Sequence, residues 1–411
     1  LDQRRLEETI FLADDIRALR RELVERKLVA FVANGSVLAR ESGISQRPMR
    51  GAVPFVSPES LAVTIDLPHH GPITGMGVRE GIFLIVGGGY HGKSTLLLAL
   101  ERGVYDHIAG DGREFVVTRS DAMKIRAEDG RCVRSTDVSL FINDLPNKAD
   151  TTAFSTEDAS GSTSQAAAVA EAMEAGTSLL LVDEDTCATN FMVRDEWMRR
   201  VVSSDKEPIT PFLSRMKELY EHAGISTVLV AGSSGSFFGV ADAVIQMDEY
   251  VPRDVTEVAR EVYQTAVREQ GADAGEEDKA HAPYHAPDVC RCMEPVSEWK
   301  RTGARIKSKV LAVDAFSIDR ENVDLRGLSQ VVDREQTAAI CAALKYIGKK
   351  LANGRRTVRE TVDQLYDEIA RDGLALLFDG STVRCGYAMP RREEVLGAIN
   401  RFRRLQIKRQ S

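Results

Sequence analysis

Lys93, Ser94, Asp183 and Glu184 are the residues of this chain whose types and settings could do chemistry on a phosphate. Lys93 and Ser94 close Gly87-Gly88-Gly89-Tyr90-His91-Gly92-Lys93-Ser94, which fits the phosphate-binding pattern G-x-x-x-x-G-K-S/T and runs on into Thr95. Glycines let backbone N–H groups close on phosphate oxygens without a Cβ in the way. The helix that follows turns its positive end toward the anion. ATP is the expected ligand of Gly87 through Thr95, with Lys93 on the β- and γ-phosphates and Ser94 on Mg²⁺. His91 is read as structural or peripheral to the phosphates. Asp183 and Glu184 end the apolar run Leu179-Leu180-Leu181-Val182. Asp183 would hold Mg²⁺ through its water shell, and Glu184 would polarise the attacking water as general base. A strand ending in Asp is often only a turn; here its distance downstream of the phosphate loop favours function.

Between these motifs stands Ser160-Gly161-Ser162-Thr163-Ser164-Gln165, ahead of an alanine-rich stretch to Ala175. Small hydroxyls and free N–H groups at a helix start make a second anion site, or simply a helix cap.

The elements that must position these residues are legible as patterns. Residues 1 to about 30 read as a charged amphipathic helix through Leu6, Ile10, Phe11, Ile16, Leu19 and Leu23. Short strands and turns follow to residue 80. From 81 to about 250 strands alternate with helices, the pattern of an α/β domain with a largely parallel sheet. Thr210-Pro211 opens a helix ended by Gly224, and Ile225 to Ala231 reads as a strand. Residues 271–297 read as a linker or long loop. Helices are expected near Arg334–Leu351 and Val358–Arg371, with a short strand at Leu374–Phe378. The expected organisation is a mixed N-terminal region (1–80), a nucleotide-binding α/β core (81–265), a linker (266–297) and a smaller α+β C-terminal domain (298–411).

Composition narrows the class. The net charge of −8 excludes a chain coated in basic charge. No run of about 20 apolar residues spans a membrane. Six scattered cysteines do not suggest a disulfide framework. The first residue is Leu, so the chain is expected to be a piece of a longer protein whose targeting segment is not visible.

Phosphate loop, Ser-Gly-rich helix start, then strand-Asp-Glu is the layout of ATP-binding-cassette ATPases. Ser160-Gly161 and Gln165 resemble, in expanded form, the Leu-Ser-Gly-Gly-Gln signature of those proteins. More closely, the chain resembles the family of predicted ATPases of the ABC class. The likeness is carried by Gly87–Thr95, Gly110–Glu114, Ile125–Arg131, Phe141–Pro146, Ala159–Ala167, Asp183–Thr186, Ala188–Met192 and Glu207–Pro211, and covers most of residues 30–260. The resemblance implies an ABC-ATPase fold of the P-loop NTPase class and a head-to-tail homodimer. In it Ser160, Gly161 and Ser162 would cap the γ-phosphate of ATP on a second copy's Lys93, with Gln165 in the same signature. It also implies RNA binding, a role beside other proteins of mitochondrial RNA editing, and a mitochondrial location; without the resemblance the location would read as cytoplasmic.

The chain departs from the cassette pattern in ways that bear on rate. No Gln lies between the phosphate loop and the signature, so Asn143 is the candidate substitute at Mg²⁺ and water. The switch histidine is replaced by Ala231-Gly232-Ser233-Ser234-Gly235, which leaves Ser233 or Ser234 to contact the γ-phosphate. A hydroxyl relays protons less well than imidazole near neutral pH, so hydrolysis is expected to be slow. The alternative is an ATP-gated dimeric clamp on a protein partner, without RNA.

Two further clusters stand out. His281, His285, Cys290 and Cys292 could bind zinc, but their spacing fits no common finger. Basic runs occur at Trp299-Lys300-Arg301, Arg305, Lys307 and Lys309, and at Arg391-Arg392, Arg401, Arg403, Arg404, Lys408 and Arg409. Such runs are ordinarily solvated faces. They also supply the charge, and Trp299 the ring, that a single-strand nucleic-acid groove needs.

Overall fold

The computed structural model describes residues 2–43, 45–194, 207–270, 283–300, 306–378 and 386–409. The chain forms two compact units: Leu1–Met123 with Ser178–Thr186 and Phe212–Lys279, and Lys124–Thr177 with Cys187–Pro211 and Ala280–Ser411. Neither is a continuous stretch, whereas the domains read from the sequence lie end to end.

In the first unit the apolar runs become strands because they are buried on both faces, which parallel sheets require. Ile82–Val86 lies between Ser226–Val230 and Ala243–Asp248, parallel to both. Leu179–Asp183 pairs in parallel with the far side of Ser226–Val230, and Val251–Asp254 closes the opposite edge antiparallel. The Leu-rich helix Lys93–Arg102 buries Leu96, Leu97, Ala99 and Leu100 in the cluster that holds Phe83, Ile85, Leu181 and Val228. A second, antiparallel sheet orders Ala62–Leu67, Gly71–Arg79, Leu28–Ala33 and Val116–Thr118. The N-terminal helix Gln3–Glu25 packs on it through Ile16, Leu19 and Leu23. Leu6, Ile10 and Phe11, expected on the same buried face, remain about half exposed, because that end of the helix has no core beneath it.

The second unit is built around a helix, Gly161–Ala175, with little bare surface. Its alanines allow close approach on most sides, and its acids Glu171 and Glu174 are buried against Arg131 and Arg291. The remainder comprises the pair Arg131–Thr136 and Phe154–Ala159, a three-stranded sheet over residues 308–324, and helices Arg334–Tyr346, Val358–Asp372 and Arg392–Arg401. These helices share a core of Trp299, Phe316, Ile340, Leu365, Leu396 and Phe402.

Two expectations need correction. Leu374–Leu377 is a single 3-10 turn following Gly373 at positive φ (72°), not a strand. A short apolar run does not distinguish strand from turn unless a partner strand is at hand. The linker reading fails at residues 291–297, where Arg291–Met293 is a buried strand paired with Ile407–Arg409; residues 283–290 carry no regular element, and residues 271–282 lie outside the described residues.

Arg291 is the anchor of that strand. It donates to both carboxylate oxygens of Glu174, to Asn400 Oδ1 (3.0 Å), to Thr136 Oγ1 (3.0 Å) and to the Arg134 carbonyl (2.9 Å). Both partners of the ion pair are 3% exposed. Arg291→Ala strands a buried carboxylate and is expected to cost about 3–5 kcal/mol. Urea unfolding of the variant beside the parent protein measures this.

Candidate functional site

The phosphate loop follows directly from strand Ile82–Val86 and opens helix Lys93–Arg102. Gly87 (φ 139°) and Gly92 (φ 97°) hold backbone that other residues resist, and neither has room for a side chain. A Cβ at Gly87 would come within 2.4 Å of the Met247 carbonyl, and one at Gly92 within 2.7 Å of the Tyr250 ring. Lys93 reaches back across the loop, its Nζ donating to the carbonyls of Gly87 (2.7 Å) and Gly88 (2.9 Å). An ammonium has three N–H donors, so one is left for a phosphate oxygen. Ser94 is exposed at the helix start, and Gly88, Gly89 and Tyr90 are exposed at the loop tip.

His91 braces the loop from behind. Its Nδ1 accepts from the Glu249 N–H (2.9 Å), and its carbonyl accepts from the Tyr250 N–H (3.1 Å). A nitrogen that accepts carries no proton, so the 3.3 Å approach of Asp248 Oδ1 to the same Nδ1 is not an ion pair.

Asp183 stands at the same level as the end of the loop strand. Val230 is in register with Ile85 on one side and with Asp183 on the other. Two strand spacings, about 10 Å, therefore separate the acid strand from the loop strand. All three strands end at one edge, where ligands of parallel sheets bind. The Asp183 carboxylate and Ser94 hydroxyl are hard oxygen donors of the kind Mg²⁺ takes. Asp183 Oδ1 accepts from the Asp185 N–H at 3.3 Å.

Glu184 is held by a contact that the sequence did not announce. Its Oε2 accepts from the backbone N–H of Gly232 (2.7 Å) and Ser233 (3.0 Å), and its Oε1 from the Ser233 hydroxyl. A carboxylate has about four lone-pair sites; with three of them occupied, one remains to receive a water proton. Ser233, expected to contact the γ-phosphate, instead gives its hydroxyl proton to Glu184, so it cannot donate to phosphate at the same time. The segment standing where the switch histidine was expected thus orients the Glu184 carboxylate.

Beside the loop is an apolar pocket of about 160 Å³, lined by Met49, Val53, Phe55, Gly92, Thr95 and Tyr250 among others. Met49, Val53, Phe55 and Tyr250 were missed because they share no spacing; only their folding against Gly92 and Thr95 gathers them.

The second unit carries the remaining candidates. Ser160 caps the helix Gly161–Ala175, its Oγ accepting from the Thr163 N–H (3.4 Å) while lying 3.3 Å from Ser162 Oγ. Ser160 is exposed and Ser162 is 9% exposed. Gln165, expected at the nucleotide, is turned inward: it is 1% exposed and its Oε1 accepts from the Ala188 N–H (3.0 Å). Asn143 donates through Nδ2 to the Ser139 carbonyl (2.7 Å). His285 Nε2 lies 2.8 Å from Ser139 Oγ, and Cys292 Sγ points to the Arg355 carbonyl (3.4 Å). No group of three His, Cys, Asp or Glu residues gathers as a metal site among the described residues, and His281 lies outside them.

The basic runs are largely spent. Arg401 pairs with Glu128, Arg403 with Glu157, Arg404 with Glu298, Arg409 with Asp288, Arg391 with Glu394 and Arg392 with Asp363. Trp299 is no stacking platform: it is 2% exposed, packs on Phe402 and donates to Asp319. Lys307 and Lys309 are exposed; Arg301 and Arg305 lie outside the described residues.

Loop, acid strand and parallel sheet define an ABC-ATPase fold of the P-loop NTPase class, with a separate C-terminal region of strands and helices. The chain belongs to the ABC_ATPase family, whose P-loop domain model matches residues 2–282. A second model, the MRB1590 C-terminal domain, matches residues 307–408. The uncharacterized protein MJ1628 of Methanocaldococcus jannaschii is 33% identical over 245 residues, 56% of this chain and 53% of that protein. The chain thus spans about half the length of that relative. Similar solved structures include the ADP conformation of MJ1267, an ATP-binding cassette of an ABC transporter (11% identity, 51% of this chain, 92% of that one, TM-score 0.31). Another is cbiO1 of Clostridium perfringens, part of an ABC transporter complex (12% identity, 61% of this chain, 98% of that one, TM-score 0.33). Likeness at this level says nothing of what this chain acts on. No helix among the described residues is long and apolar enough to cross a membrane.

Proposed function

We propose that the protein binds and slowly hydrolyses Mg²⁺-ATP as a head-to-tail homodimer and couples nucleotide state to RNA binding. The observation that carries the ATPase reading is Lys93 folded across its loop at the sheet edge where Glu184 is held ready by Gly232 and Ser233. Ser94 and Asp183 supply oxygens for Mg²⁺, and the pocket at Val53, Phe55 and Tyr250 offers apolar walls for the base. Ser160, Gly161 and Ser162 would cap the γ-phosphate on a second copy's loop. Because the Glu184 grip is mainly backbone, Ser233→Ala is expected to change turnover by less than about tenfold, the worth of one hydrogen bond. A loss of several hundredfold in phosphate release would mean that Ser233 is itself in the proton path.

RNA binding, in mitochondrial RNA editing beside other editing proteins, is supported by the match of residues 307–408 and by exposed Lys307 and Lys309. Single-stranded RNA should bind with a steep salt dependence, about 0.7 in the log–log slope per phosphate neutralised. The ion pairing of the C-terminal arginines favours a second reading, an ATP-gated clamp on a protein partner. Absence of binding to RNA and DNA at low salt would select it.

A further inference from the structure

The second unit contains a cavity of about 640 Å³ lined by five arginines and three carboxylates, with no aromatic or large aliphatic side chain. Such a lining suits neither an apolar ligand nor a stacked base. Two of its acids are already answered: Arg401 grips both oxygens of Glu128, and Arg326 grips Asp324. Burial raises the Glu128 carboxyl, but Arg401 and Arg131 outweigh it and hold the group below the usual range. The third acid, Asp129, is exposed and screened by water.

The arginines are not all answered in turn. Arg131 is 7% exposed; it pairs with Glu171 through Nη2, while its buried Nη1 stands 3.8 Å from Glu128 Oε1 and has no hydrogen-bond partner among the described residues. Arg126 makes no hydrogen bond among the described residues, and its Nε is likewise buried and unsatisfied. Buried donors left without partners are costly, and planar guanidinium groups match phosphate oxygens.

The wall Arg126–Gly130 also supports the Ser160–Gln165 segment. The Glu128 N–H donates to Ser164 Oγ (2.9 Å), and Ala127 and Asp129 occupy the space beside Gly161, each 3.3 Å from where its Cβ would stand. We propose that this cavity is a second phosphate-binding site, distinct from the phosphate loop, whose occupant steadies the start of the Gly161–Ala175 helix through Arg126–Gly130. Terminal oligophosphates and the phosphodiesters of a nucleic-acid strand share the required chemistry.

Calorimetric titration of the full chain carrying Lys93→Ala, so that the phosphate loop is disabled, tests this with sodium tripolyphosphate as probe. Saturable binding is expected. Arg126→Ala in the same background should raise Kd about tenfold or more, with folding preserved because Arg126 has no hydrogen-bond partner among the described residues to lose. Tripolyphosphate should also slow hydrogen exchange at the Ser162–Ser164 amides. A single-stranded oligonucleotide without terminal phosphates, competing in an Arg126-dependent way, would identify the phosphodiester as ligand; tripolyphosphate binding alone would identify a free oligophosphate. Loss of all binding with Lys93→Ala, an unchanged Kd with Arg126→Ala, or unaltered exchange at the helix start would overturn the proposal.

Discussion

Replacing Glu184 by Gln should lower ATP turnover about a hundredfold or more, within the range a general base contributes, while ATP stays bound. The substitution keeps the geometry and removes the base. A Gln oxygen can accept from the Gly232 and Ser233 N–H groups as Oε2 does now, and the Ser233 hydroxyl can rotate to accept from the new amide. Only the capacity to take a water proton is lost. Phosphate release over hours, beside retained binding of a fluorescent ATP analogue, measures both halves. A variant that turns over at the parent rate would remove Glu184 from the mechanism.

Lys93→Ala should weaken ATP binding by about one to two orders of magnitude, since a charge-assisted contact contributes about 1.5–3 kcal/mol and Lys93 has one N–H left to make it. The loop itself should survive, because its shape rests on Gly87 and Gly92 and on the His91 brace to Glu249 and Tyr250. An unchanged melting temperature together with lost nucleotide binding is the expected pair of results. Retained binding would put the phosphates somewhere other than this loop.

What the sequence disclosed was what lies close together along it. Gly87–Thr95 and Leu179–Glu184 are each a strand with its functional end attached, so periodicity and residue type suffice. The hold of Gly232 and Ser233 on Glu184 depends on the strand order, which puts Ser226–Val230 beside Leu179–Asp183, and no spacing encodes that. Charge runs misled for a related reason. Arg401, Arg403 and Arg409 look like a free basic face until Glu128, Glu157 and Asp288, far away in sequence, are folded against them. Trp299 looked like a platform for bases because a basic run follows it; its burial against Phe402 follows from tertiary packing alone. Gln165, read as part of a signature, is turned inward by hydrogen bonds from the Ala188 N–H and to Met192 Sδ.

The proposed composite site needs two chains, and mixing two inactive variants tests it most directly. Lys93→Ala disables the phosphate loop. Ser160→Asp keeps a good helix cap but sets a negative charge against the γ-phosphate that Ser160 is proposed to meet. Each variant alone should hydrolyse almost no ATP. In a mixed head-to-tail dimer, one site pairs the intact loop of one chain with the intact Ser160–Ser162 segment of the other, so the mixture should recover part of the parent turnover. If the mixture stays as inactive as its components while each variant remains folded, the site is complete within one chain and the composite account is wrong.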